Sequence, residues 1–173
     1  MKPQGRVFLV GPMASGKSTV GKMLASMMDV PFMDSDQVIS ERCGADIPWI
    51  FDVEGEAGFR EREILAIDEL SQVQPLVLAT GGGAILSLLN RQRLGARGIV
   101  IYLRTTVSQQ LSRTHKDQSR PLLKRPDKEQ VLQKLMKERE PLYAEIADIT
   151  VETGRKSPKN VARQLLEKVV AYQ

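Results

Sequence analysis

The sequence predicts an α/β protein: a five-stranded parallel sheet flanked by helices on both faces. Three observations lead there. Short apolar runs of β type alternate with stretches of helical periodicity along the chain. Several of those runs, RVFLV and GIVIYL among them, are nearly continuously apolar, as strands covered on both faces require. The glycines and acids that could do chemistry sit where the runs end, at the carboxyl edge where such sheets hold ligands. The length, 173 residues, suits a single domain over 1–173 with one inserted flap.

The elements follow in order. Residues 6–10 form the first strand and stop at Gly11. Over 18–28 the period changes, with Val20, Met23, Leu24, Met27 and Met28 at helical spacing; this predicts a helix with a methionine-rich core face. Residues 30–33 are a second strand, leading into Asp34-Ser35-Asp36. In an extended segment, residues two apart point the same way, so Asp34 and Asp36 would face one site. Residues 37–43 and 48–70 read as helical, the latter with breaks near Gly55 and Gly58. The third strand, 75–79, runs into Thr80-Gly81-Gly82-Gly83. A helix at 87–94, a strand at 98–103 and a helix from 107 to 113 come next. Residues 113–128 contain two prolines and no sustained period, and read as a loop or flap. Residues 128–143 are helical, with Val131, Leu132, Leu135 and Met136 on one side. A strand at 148–151 and a helix at 160–170, with Val161, Leu165, Leu166 and Val169 on its inner face, close the chain.

Composition narrows the function. Apolar residues are 42% and charged residues 27%, which excludes disordered, collagen-like and coiled-coil classes. No apolar run approaches the ~20 residues of a membrane span, and the N-terminus lacks the pattern of a signal peptide. The expected location is the cytoplasm. One cysteine, Cys43, excludes a disulfide framework and a cysteine-based zinc site. The net charge of +4 raises the question of nucleic acid. However, residues 113–128 carry six Lys/Arg against two Asp, and the rest of the chain balances at 19 of each sign. No aromatic residue lies in that segment. A nucleic-acid binder spreads its basic groups over a face with aromatics between them. Neither nucleic acid nor a membrane is an expected partner.

The strongest motif is Gly11-Pro12-Met13-Ala14-Ser15-Gly16-Lys17-Ser18, which fits the P-loop pattern G-x-x-x-x-G-K-[ST]. It follows a strand and opens an amphipathic helix, as the pattern requires. Successive backbone N–H groups form an anion nest, and the helix start adds a partial positive charge. Lys17 would reach the β- and γ-phosphates of a nucleotide, and Ser18 would present its hydroxyl to Mg²⁺. No strand ends in the Asp or Asp-Glu of motor ATPases, and no N-K-x-D guanine motif is present. The acids at the end of the second strand are left to serve a metal-bound water and an acceptor hydroxyl.

On the P-loop GPMASGKST, followed by FMDSD, EGEAGFRERE, LATGGG, SRPLL and EREPLYAEIAD, the chain resembles the shikimate kinases over essentially its whole length. The resemblance implies a three-layer sandwich of the nucleoside-monophosphate-kinase type with a mobile lid, about 113–126, and a substrate-binding helical region, about 34–62. It implies ATP- and Mg²⁺-dependent phosphorylation of the 3-hydroxyl of shikimate, on the route to chorismate and aromatic amino acids, by a cytoplasmic monomer. It places Gly11, Ala14, Ser15, Gly16, Lys17, Ser18 and Thr19 on the nucleotide phosphates, and Ser18 and Asp34 on the metal. Asp36 matches the acid that meets the acceptor hydroxyls and is the candidate base. Arg60 and Arg139 match the pair on the substrate carboxylate, and Gly81, Gly82 and Gly83 the loop whose N–H groups approach the substrate. Arg120 matches the lid arginine. Arg113 resembles the residue beside the adenine, with Lys156 in the turn on its other side. Lys17, Asp36 and Arg120 form the expected catalytic set.

Other small-molecule kinases of this fold, gluconate-type or with a nucleotide acceptor, are the alternative. The nucleotide type should show D-G-[FY]-P-R after the third strand, where this chain has ATGGG. Ala14 stands where many shikimate kinases carry Gly, a change expected to require φ < 0 there. Arg60 and Arg139, each flanked by glutamates, also fit solvated helix ion pairs. His115, the sole histidine, has no acid–nucleophile arrangement around it and is not assigned to the chemistry. Trp49 is expected to pack between helices near the acceptor site, and Phe59 could line it.

Overall fold

The computed structural model describes residues 5–115 and 121–173. Five strands form one parallel sheet: β1 (Arg6–Val10), β2 (Phe32–Asp34), β3 (Leu76–Ala79), β4 (Ile99–Arg104) and β5 (Ile149–Glu152), in the order β2-β3-β1-β4-β5. Among the described residues seven helices link and flank them: α1 (Lys17–Met28), α2 (Ser35–Cys43), α3 (Ile47–Leu70), α4 (Leu88–Arg97), α5 (Val107–Thr114), α6 (Lys128–Ile146) and α7 (Pro158–Tyr172). Short 3₁₀ turns lie at Ala84–Leu86 and Pro121–Lys124.

The period-2 geometry of β1 builds two cores. Phe8 and Val10 point to one face, where Ile50, Phe59 and Ile67 of α3, Leu94 of α4 and Tyr143 of α6 cover them. Val7 and Leu9 point to the other, against Val20 and Leu24 of α1 and Val161, Leu165 and Val169 of α7. This is why β1 does not alternate: both its faces are dry. Each such side chain, fully buried, contributes about 1.5–3 kcal/mol.

The order β2-β3-β1-β4-β5 brings the carboxyl ends of β2, β3 and β1 side by side. Gly11, Asp34 and the Thr80–Gly83 loop therefore meet at one edge of the sheet.

Several sequence expectations change. The second strand starts two residues later than expected and ends one later; α1 ends at Met28 as expected, and Asp29 closes it in a left-handed conformation before β2 begins. The break in α3 is at Gly55 (φ 72, ψ 177), a conformation open to glycine, whereas helical geometry continues through Gly58. The two α3 segments are clasped across the break by Arg62, which donates to both carboxylate oxygens of Glu54 at 2.7 and 2.6 Å. On α1 the buried face is Val20, Gly21, Leu24 and Ala25, and Met27 is exposed. Phe32 and Leu9 press against Gly21 too closely to admit a Cβ, so the tightest contact runs through the small residues, not the methionines. Trp49 is 51% exposed rather than packed between helices.

Candidate active site

Three adjoining cavities form a trough along the carboxyl edge of the sheet, of about 380, 710 and 360 Å³. The middle one is the phosphate loop. Gly11 lets β1 pass within van der Waals limits of β4: a Cβ there would stand 2.6 Å from the Leu103 carbonyl oxygen. Lys17 Nζ donates to the carbonyl oxygens of Gly11 (2.6 Å) and Pro12 (2.8 Å), holding the loop closed. Gly16 is the N-cap of α1 and supplies no side-chain cap, whereas α2, α3, α4, α5 and α7 all begin with a capping side chain. The first N–H groups of α1 are thereby left to a ligand, and no acid lies in its first turn.

Ala14 overturns one expectation: its φ is 61, in the left-handed region. The Arg113 guanidinium holds it there, donating to the Ala14 carbonyl at 2.7 Å, while Gln110 Nε2 donates to Met13 O at 3.0 Å. A Cβ in this conformation costs about 1–2 kcal/mol, and glycine costs back part of that in the unfolded chain. Ala14→Gly should therefore raise the unfolding free energy by about 0.5–1 kcal/mol in denaturant titration. An unchanged or lower midpoint would contradict strain at this peptide.

Ser18 Oγ donates to Asp34 Oδ2 at 2.5 Å. The other Asp34 oxygen accepts from the N–H groups of Asp36 (2.9 Å) and Gln37 (3.3 Å), so Asp34 is the N-cap of α2. Asp36 is consequently helical, not extended as expected. It shares a cavity with Asp34 because the chain turns into α2 between them, not because of strand alternation. Among the described residues no three His, Cys, Asp or Glu side chains gather as a metal cluster. The Ser18–Asp34 oxygen pair nonetheless fits Mg²⁺, which takes one or two protein oxygens and completes its shell with phosphates and water.

The first cavity holds the residues expected on the acceptor side. Arg60 and Arg139 enter it from α3 and α6, with Asp36, Glu63 and the glycine loop. Arg60 Nη1 donates to Glu63 Oε1 at 2.8 Å, and its Nη2 lies 3.4 Å from Glu56 Oε1. Glu63 is 1% exposed. Burial pushes its carboxyl above the ordinary value; the Arg60 guanidinium pulls it back, and Asp36 adds to the rise. Arg60 thus keeps the exposed helix pair with Glu56 and also ties into buried Glu63. Arg139 parts company with its neighbour in sequence: Glu140 turns to the Tyr102 hydroxyl (2.6 Å) and to Arg104 (3.1 Å). Ideal Cβ positions on Gly81 and Gly83 would fall onto the Asp36 and Glu63 carboxylates and the Arg60 guanidinium. The Gly81 N–H donates to Ser35 Oγ at 3.1 Å, so within the glycine loop this amide is held inside the protein. The N–H groups of Gly82 and Gly83 donate no hydrogen bond among the described residues.

The third cavity opens beyond the loop, between Ala14, Gly16 and Thr19 on one side and Arg113, Lys156 and Pro158 on the other. Arg113 spans it, donating also to Gly154 O at 2.7 Å, and Lys156 donates to Gln164 Oε1 at 3.1 Å. Arg120 lies outside the described residues. Cys43 is half-buried, and His115 is exposed with Nδ1 2.9 Å from Ser112 O, away from these cavities.

Sequence reading did not place Glu63, Gln110 or Tyr143 at the site. Glu63 looked like one more helix glutamate; only its 1% exposure separates it from Glu61. Leu135 and Met136 read as core and instead line the acceptor wall.

A strand, a phosphate loop and an uncapped helix, with a carboxylate- and guanidinium-lined pocket alongside, define a P-loop kinase of small molecules. The chain belongs to the shikimate kinase family, whose model matches residues 13–170. It is 54% identical to a shikimate kinase of Vibrio cholerae over 167 residues, 96% of each chain. It is 55% identical to that of Actinobacillus pleuropneumoniae over the same length and coverage. The solved shikimate kinase of Acinetobacter baumannii in complex with shikimate matches at a TM-score of 0.93 with 48% identity, over 96% of this chain and 93% of that one.

Proposed function

We propose that the trough carries out one reaction: transfer of the γ-phosphoryl group of ATP to the 3-hydroxyl of shikimate, giving shikimate 3-phosphate and ADP. The observation that carries this reading is a shared wall. Asp36, Gly81 and Gly82 line both the acceptor cavity and the phosphate cavity, so a hydroxyl held by Asp36 stands beside the phosphate loop.

Arg60 and Arg139 take the substrate carboxylate, which a planar guanidinium fork suits. Asp36 accepts a hydrogen bond from the hydroxyl and aims its oxygen. That oxygen bonds to the γ-phosphorus as the bond to the β–γ bridging oxygen breaks; ADP departs, and the hydroxyl proton passes to Asp36. With a loose transition state the proton leaves late, so orientation by Asp36 dominates over base strength. Lys17 faces the β- and γ-phosphate charge. Ser18 and Asp34 would hold Mg²⁺, which, when bound, neutralises charge building on the phosphates. The third cavity takes the nucleoside end, between Arg113 and Lys156. The resemblance also assigns Arg120, outside the described residues, to the phosphates.

The test is ADP release with shikimate, quinate, gluconate, AMP and CMP in turn, with Trp49 emission as the binding signal. Trp49 is the only tryptophan. Turnover with shikimate, and little with the others, is the expected result. Turnover with gluconate or a nucleotide alone would replace this reading with the corresponding kinase.

A further inference from the structure

Tyr143 is fully buried at the junction of α6 and the glycine loop, and no role has been assigned to it so far. A hydroxyl in that position needs partners. It donates to the Gly82 carbonyl oxygen at 2.5 Å. Arg139 lies one helical turn earlier, at the i,i+4 spacing that stacks side chains on one helix face. Its Nη1 comes within 3.7 Å of where a Cβ on Gly82 would stand. Hydroxyl, carbonyl and guanidinium therefore form one cluster.

We propose that Tyr143 is a positioning residue for the acceptor: its hydroxyl fixes the Gly82–Gly83 peptide and, with it, the place of Arg139. The inference rests on the reading of Arg139 and the glycine loop as the acceptor site. In a trans peptide the carbonyl and the following N–H point in opposite directions. Holding Gly82 O on Tyr143 thus directs the Gly83 N–H away from α6. That amide has no hydrogen bond among the described residues and remains a donor for a ligand oxygen. Without the hydroxyl, glycines on either side let this peptide rotate freely. A rotated peptide turns the N–H away and can bring a carbonyl dipole toward the Asp36 and Glu63 carboxylates. Burial pushes the Tyr143 phenol up to about 12, opposed by Arg139, so it stays a donor across the working pH range.

Tyr102 supplies the control. Its ring packs on Tyr143 at 5.1 Å between centroids, it is equally buried, and its hydroxyl is bonded to Glu140 outside the acceptor cavity. Tyr143→Phe should raise the shikimate KM about 10-fold or more, the size of one lost buried hydrogen bond. The ATP KM should stay within about twofold. Tyr102→Phe should cost comparable thermal stability and leave the shikimate KM unchanged. Tyr143→p-aminophenylalanine, which keeps a donor, should recover most of the loss. Should Tyr143→Phe not fold, Tyr143→p-fluorophenylalanine fills the same space without the donor. A shikimate KM within twofold of the parent, or an equal rise in Tyr102→Phe, overturns the positioning role. Absence of shikimate turnover in the parent chain overturns the functional reading itself.

Discussion

Lys17→Met lowers kcat by about 10²–10³-fold, the cost of removing one preorganised charge from a phosphoryl-transfer site. The Lys17 ammonium already lies across the phosphate loop, 2.6 Å from Gly11 O and 2.8 Å from Pro12 O. It needs only a short swing to meet the phosphates, so little ordering remains for the moment of reaction. Because charge grows on the bridging oxygen in the transition state, the loss should appear mainly in kcat, with a smaller rise in the ATP KM. Shikimate binding, followed by Trp49 emission without nucleotide, should be unaffected, since Lys17 lines the phosphate cavity and not the acceptor one. Steady-state kinetics with coupled ADP detection decides it. A kcat within about tenfold of the parent would remove Lys17 from the chemistry.

Gly81→Ala strikes the same reaction from the acceptor side. The new Cβ would stand 2.6 Å from Asp36 Oδ1 and 2.9 Å from Glu63 Oε2. The loop cannot retreat easily: its N–H is held by Ser35 Oγ and its carbonyl accepts from Ala84 N–H at 3.1 Å. Asp36 must move instead, and a misplacement near 1 Å costs about 100-fold. We expect kcat/KM for shikimate to fall by about that factor while the ATP dissociation constant stays within about twofold. A kcat/KM within about fivefold of the parent would show that Asp36 tolerates displacement, and would count against its orienting role.

Much of this was readable from the chain alone. The phosphate loop is a contiguous octapeptide whose function lies in its own backbone, so local sequence carries it. The strands were legible because β1 and β4 are buried on both faces but for one terminal arginine each, and read as nearly continuous apolar runs. Where elements are half-buried or short, the reading slipped. β2 has three residues, and its ends depend on how α1 terminates. Asp34 and Asp36 were paired by strand logic, whereas helix capping by Asp34 puts them together. Ala14 was expected at negative φ; hydrogen bonds from α5, near a hundred residues away, set it positive.

The sequence by itself determined the architecture and the nucleotide loop, and its resemblance to a family named Asp36, Arg60 and Arg139 for the acceptor side, residues that line one cavity in the fold. Those depend on period, on local backbone chemistry and on motif order, which any stretch of chain displays. It also located the basic excess in residues 113–128. Only the tertiary structure decided which of several chemically alike residues are removed from water. It buried Glu63 and left Glu61 exposed, turned Glu140 away from Arg139, and set the Tyr143 hydroxyl on Gly82. The physical reason is that burial and hydrogen-bond partnership belong to surfaces brought together from distant parts of the chain. Such surfaces leave no local pattern to read.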